Sequence, residues 1–81
     1  MNYKDYYRCK IGSSLSVGMF GNDLYAFEVL IGFCNVPEYH KISKKEFDSF
    51  DSWKDDMDKL YDIVGRPVLC SGYKGNTEIQ L

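Results

Sequence analysis

A chain of 81 residues supports one domain, spanning 1–81, and a domain of that size buries only about 60% of the surface its unfolded chain exposes, which leaves little room for a deep substrate pocket. Hydrophobic residues at 44% and aromatics at 16% exceed what a disordered segment carries, so a folded globular domain is expected. The net charge of −2 is the opposite of the basic balance of a duplex nucleic-acid binder.

In chain order, "YYRCKIG" (6–12) alternates Tyr7, Cys9 and Ile11 with Arg8 and Lys10, the period-two pattern of a half-buried strand, and Gly12 ends it. A second alternation places Leu15, Val17 and Met19 on one side before Gly21-Asn22-Asp23, residues that tolerate the positive φ of a hairpin turn. "LYAFEVLIGFC" (24–34) is apolar on both alternations and predicts a central strand. Leu24, Phe27, Leu30 and Ile31 also satisfy a helical period, with Asn22 as a cap, so a helix is the competing reading. "NVPEYHKI" follows as a loop or a short edge strand, because Pro37 cannot donate to a ladder.

Ser43 and Glu46 form a capping box that starts a helical segment over 43–64, as one helix or two, and Ser52 with Asp55 repeats the signature. Trp53, Met57, Leu60, Tyr61 and Val64 share the spacing of one helix face, which predicts that Trp53, Met57, Leu60 and Val64 are buried against the sheet. Gly65 sits where a glycine cap belongs and Pro67 blocks continuation. "PVLCSGY" and "TEIQL", around Lys74-Gly75-Asn76, read as a terminal hairpin. The fold class predicted is α+β, a small antiparallel sheet of about 4–5 strands with the helical segment packed on one face.

Cys9, Cys34 and Cys70 are an odd, widely spaced set, unlike the dense even framework of a small secreted scaffold, and predict free, buried thiols in a reducing cytosol. The N-terminal "MNYKDYYRCK" has no apolar leader core and no run approaches the ~20 apolar residues of a bilayer span, so a cytoplasmic protein is expected, without a membrane partner. Neither the cysteines nor His40, the one histidine, lies in a nucleophile motif, no metal-ligand pair stands two to four residues apart, and no phosphate loop is present; no enzyme, no cofactor and no metal are expected.

The tyrosines and cations of "YKDYYRCK" are the residue types that stack bases and track a single-stranded backbone, with Tyr3, Tyr6, Arg8 and Lys10 as the residues concerned. Met19 and Phe20 would sit at an apolar loop tip if the hairpin turned at "GMFG", and such residues are enriched at protein interfaces. Asp55, Asp58 and Asp62 fall opposite the Trp53, Leu60 and Val64 face as one acidic stripe. Asp58 and Asp62 are like charges at i and i+4, a clash of about 0.2–0.5 kcal/mol, with Asp62 near the end where the helix dipole favours cations.

These features predict a small non-enzymatic inhibitor that covers a partner protein's functional surface, with Asp55, Asp58, Asp62, Met19 and Phe20 as the docking residues and a basic patch on the partner. The alternative is a single-stranded nucleic-acid-binding module using the N-terminal strand. An unpaired edge strand could also mediate a homodimer. In size and make-up the chain resembles immunity proteins that neutralise bacterial toxins and phage-encoded anti-CRISPR proteins. That likeness rests on no shared motif and carries over no residue role.

Overall fold

The computed structural model describes residues 1–80. Its frame is a five-stranded antiparallel sheet in sequence order, β1 (Tyr7–Ile11), β2 (Leu15–Phe20), β3 (Leu24–Ile31), β4 (Val36–Lys41) and β5 (Val68–Ser71). Between β4 and β5 lie three short helices, α1 (Lys44–Asp48), α2 (Phe50–Trp53) and α3 (Met57–Val64). The α+β architecture with a helical layer on one sheet face is therefore the one the sequence pattern predicts.

Residues 24–31 are strand, paired on one side with β2 (Val17 opposite Phe27) and on the other with β4 (Phe27 opposite His40). An apolar run on both alternations fits that central position, because both faces of β3 are covered. Tyr25, Phe27 and Val29 face the helices, while Leu24 and Ala26 face the opposite side. Gly21 adopts φ +68 in the turn between β2 and β3, the left-handed conformation that glycine reaches without a Cβ clash. Gly18 has a different role: a Cβ there would fall on the Tyr7 carbonyl oxygen and the Tyr6 ring, so its missing side chain lets the N-terminal segment cross the sheet.

Residues 36–41 are an interior strand rather than the loop or edge strand expected from Pro37. The Pro37 carbonyl accepts from the Gly72 amide at 2.9 Å, and a residue's amide and carbonyl point to the same side of a strand. The missing N–H of Pro37 therefore faces Gly72, one residue past the end of β5, and the ladder between β3 and β4 is left intact. The terminal hairpin forms only in part. Residues 76–80 run back along the outer edge of β5 through Ser71 N–H to Asn76 O and Gln80 N–H to Leu69 O, both 2.8 Å, and Ile79 N–H reaches Met1 O at 2.9 Å.

The 43–64 segment holds three helices instead of one or two. The Ser43 capping box closes as expected, with Glu46 N–H donating to Ser43 Oγ at 3.0 Å and Ser43 N–H to Glu46 Oε1 at 2.8 Å. The second signature does not close: Ser52 Oγ donates to the Ser49 carbonyl at 2.6 Å, and Asp56 caps α3 by accepting from Asp58 N–H at 3.0 Å. Ser, Asp and Asn bond their own backbone in non-helical conformations, and the Asp48-Ser49 and Asp55-Asp56 positions are where the helical run breaks.

Two cores result. Under the helices, Val17, Phe27, Ile42, Phe50, Trp53 and Ile63 pack together, with the Phe50 and Trp53 rings edge-on at 5.1 Å. On the other face Phe20, Ala26, Tyr39, Leu69 and Cys70 are covered by Tyr3, Tyr6 and Ile79 from the two ends of the chain.

Candidate functional site

Of the expected docking residues, the acidic ones stay accessible, on the outer face of α3 or just before it. Ile63 is fully buried and Leu60 packs against the same core, and these two set the rotation of the helix. Met57, Tyr61 and Val64, at i, i+4 and i+7, consequently point away from the core and are 56%, 67% and 39% exposed. This corrects the expectation that Met57 and Val64 are buried. Trp53 is buried as expected, but it belongs to α2, and the break at 54–56 resets the phase so that its face does not continue into α3.

The acidic stripe is only partly a helix stripe. Asp58 and Asp62 share α3, whereas Asp55 lies in the connection before it and is exposed there. Asp62 is not left to repel Asp58 alone, because Arg66 Nη2 donates to its Oδ2 at 2.9 Å and Lys59 Nζ lies 3.9 Å away. Arg66 thus supplies the cation that the helix dipole favours at this end. Lys59 Nζ donates to Glu46 Oε2 at 2.6 Å. Asp55 and Asp58 have no ion-pair partner among the described residues.

What holds α3 in place is an ion network that the sequence reading did not single out. Arg66 donates through Nη1 to Glu46 Oε1 at 2.9 Å and through Nη2 to Glu46 Oε2 at 2.7 Å, a bidentate pair, and Nη1 also reaches the Lys41 carbonyl at 3.1 Å. The Arg66 hydrogen bond, with help from Lys59 and the Ser43 amide, holds the Glu46 carboxyl well below the ordinary carboxylate range despite partial burial, and Glu46 raises Arg66 in turn. The Arg66 backbone is pinned as well: buried His40 donates from Nδ1 to the Arg66 carbonyl at 3.1 Å, while its Nε2 lies 2.8 Å from Glu38 Oε1. Beside this clamp an open groove of about 630 Å³ is walled by Ile42, Pro67, Val68 and Leu69. The signal for the clamp was faint in sequence, because Glu46 and Arg66 are 20 positions apart and only the fold brings them together.

The remaining expected docking residues lie elsewhere. Phe20 is fully buried, in β2 rather than at a loop tip, and Met19 is half-buried beside it, because the turn falls one residue later, at Gly21–Asp23. Phe20 is therefore withdrawn from the docking set. The nucleic-acid residues are largely consumed by the fold. Tyr3 sits in a 3-10 turn (Tyr3–Asp5) instead of a strand and packs on the second core. The Tyr6 ring packs at a tilt against Tyr39, 4.7 Å between centroids, and against Phe20 at 5.5 Å. Lys10 Nζ donates to the Phe47 carbonyl at 2.9 Å and stands 4.7 Å from that ring's centre.

Arg8 completes a buried polar cluster around Glu28, the other feature the sequence did not reveal. Arg8 Nε and Nη2 donate to Glu28 Oε1, at 3.1 and 2.6 Å, Ser16 Oγ donates to the same oxygen at 3.0 Å, and the Tyr39 hydroxyl donates to Oε2 at 2.7 Å. Since the Ser16 proton is spent on Glu28, the Tyr6 hydroxyl is the donor in its 2.8 Å contact with Ser16. Burial pushes both tyrosine hydroxyls above their ordinary range, which keeps them neutral donors.

All three cysteines are free, but only Cys70 is buried; Cys9 and Cys34 are exposed, against the expectation, because Cys9 lies on the outermost strand at a bulge and Cys34 in the β3–β4 turn. Burial pushes the Cys70 thiol up to about 11. Among the described residues no group of three or more His, Cys, Asp or Glu side chains is placed to hold a metal ion, and no helix is long and apolar enough to cross a membrane. The candidate site is thus a helix held by an ion network, with an exposed apolar line and the unpaired Asp55 and Asp58 next to it. No protein-family model, curated protein or solved structure matches the chain.

Proposed function

We propose that the protein is a small binding inhibitor that docks through the outer face of α3 and covers a functional surface of another protein. The observation that carries this reading is the line of Met57, Tyr61 and Val64 on the solvent side of α3, beside the unpaired Asp55 and Asp58. Aromatic and methionine side chains at the centre of a patch with charges at its edge is the make-up of a protein interface. Four carboxylates at or near α3, Asp55, Asp56, Asp58 and Asp62, oppose self-pairing of this face and select a partner whose apolar cleft is rimmed by Lys or Arg. The Arg66 clamp adds pre-organisation, so little ordering is lost on binding.

Affinity capture from a host lysate, with and without nuclease, followed by kinetics on the captured protein, tests this. Asp55→Lys with Asp58→Lys spares the Arg66 network and should slow association and flatten its salt dependence, and Tyr61→Ala should speed dissociation. A folded double variant with an unchanged on-rate and salt dependence would remove the α3 face from the reading. Recovery of nucleic acid alone would replace it with the single-strand-binding alternative.

A further inference from the structure

Where β4 gives way to α1 and β5 begins, the open groove of about 630 Å³ falls within the ~300–1,000 Å³ of small-molecule sites. Ile42, Pro67, Val68 and Leu69 give it an apolar lining, and Val68 is 39% exposed there. The charges around it do not balance. Glu46 and Asp62 are met by Arg66 and Lys59, with both Glu46 oxygens occupied. Lys41, the remaining charged residue of the lining, has no ion-pair partner among the described residues, Asp23 of the adjoining hollow included. Lys41 ends β4 and Ser43 is extended, at φ −81 and ψ 163, so alternation about the buried Ile42 places both on one side of the chain, and both are exposed. Ser43 Oγ accepts the Glu46 amide at 3.0 Å and keeps its own O–H to donate.

We infer that this groove binds a small free monocarboxylate with an apolar body, an alkyl or aryl acid, whose hydrocarbon lies along Pro67, Val68 and Leu69 and whose carboxylate meets Lys41 Nζ and the Ser43 hydroxyl. One uncompensated ammonium with a neutral O–H beside it matches a single negative charge spread over two acceptor oxygens. A dianion finds only that one free cation, because the Arg66 fork is spent on Glu46, Asp62 and the Lys41 carbonyl. A cationic ligand meets like charge at Lys41 and a Glu46 whose oxygens are already taken. A neutral hydrocarbon fills the lining but leaves the ammonium without a counter-charge. No residue of α3 lines the groove, so the site is independent of the proposed partner face.

Sodium octanoate is the probe, titrated to about 20 mM while the amide resonances of the protein are followed, since a ligand of about ten heavy atoms in an open site binds with a Kd on the order of 1 mM. Saturable shifts confined to Ile42, Ser43, Val68, Leu69 and Gln80 are expected, with 1-octanol and octylammonium weaker by at least about fivefold. Lys41→Gln, at an exposed position without an ion pair, should keep the fold and bind octanoate about five- to tenfold more weakly, whereas Tyr61→Ala should bind it like the parent. Val68→Glu, which sets a carboxylate in the groove, should abolish saturation. Shifts that never saturate, that centre on Met57, Tyr61 and Val64, that octylammonium reproduces at equal affinity, or that Lys41→Gln leaves unchanged would each overturn the inference. So would groove resonances that move with protein concentration alone, which would mean that a second copy fills the site. An acetylated tripeptide ending in leucine that binds more than about tenfold more tightly than octanoate would overturn it as well, by handing the groove to the terminus of a partner protein.

Discussion

The two faces of the sheet are covered in different ways, and the difference explains what each can tolerate. The helix-covered face receives contiguous apolar side chains from three helices, and its core is a hydrocarbon one centred on Phe27, Phe50 and Trp53. The opposite face is covered only by the two ends of the chain, which contribute single residues such as Tyr3, Tyr6 and Ile79. It therefore closes unevenly: aromatic rings pack edge-on and tilted at one end, a buried carboxylate with its donors occupies the middle, and the Leu30 and Ile11 end stays open. A helix brings a whole face at once, whereas an irregular terminus brings one anchor at a time and leaves polar groups that need explicit partners.

The largest effect expected from this contrast is on the helix side. Phe50→Ala should lower stability by about 3–5 kcal/mol, because a fully buried ring leaves a cavity that short helices cannot collapse into. Urea denaturation measures it, and a loss comparable to a surface substitution would show that the helical layer is not the main core. On the other face Arg8→Ala should cost about 1–3 kcal/mol, less than a fully buried pair would, since half of the Arg8 side chain is in water, but the Glu28 carboxylate loses its paired cation. If Arg8→Ala exceeded Phe50→Ala, the ranking of the two cores would be reversed.

Glu46→Gln gives a smaller and pH-dependent effect. Its folded carboxyl is depressed, so its contribution is fully present above the ~4.3 of an unfolded glutamate and is lost as the pH falls from there toward the folded value. Gln keeps the capping box with Ser43 while removing the charge that Arg66 and Lys59 bind. The stability gap between parent and variant should be wide at pH 7 and narrow at pH 3; a gap that stays constant would mean that the ion network adds nothing beyond the cap. Tyr61→Ala should change stability by less than about 0.5 kcal/mol, as an exposed position does, and a larger loss in a thermal melt would place Tyr61 in the core instead of on the solvent face of α3.

Much of the fold was legible in the sequence because local chemistry and final structure agree there. Alternation in 15–20 and 24–31, the turn at Gly21, the Ser43 capping box and the α+β class follow from side-chain period and backbone preference, which act over a few residues. The candidate site was legible only in part. Asp58 and Asp62 share one face as the helical period predicts, but Met57 and Val64 leave the core because the Trp53 face does not continue through the break that Asp55 and Asp56 introduce.

By itself, then, the sequence determined the residue types, the helix and strand periods, the first cap and the acidic character of α3, all of which depend on neighbours within a turn or a pleat. Only the tertiary structure decided which side of α3 meets solvent, since Ile63 docking on the sheet sets that rotation. It also decided that Glu28 is buried among Arg8, Ser16 and Tyr39, and that Glu46 closes on Arg66. Pairings across 11 to 20 positions have no local energy to announce them; they exist because strand register and helix docking bring the partners within hydrogen-bonding distance. The same holds for Phe33, whose full exposure follows from the turn that carries it and not from its own preference for burial.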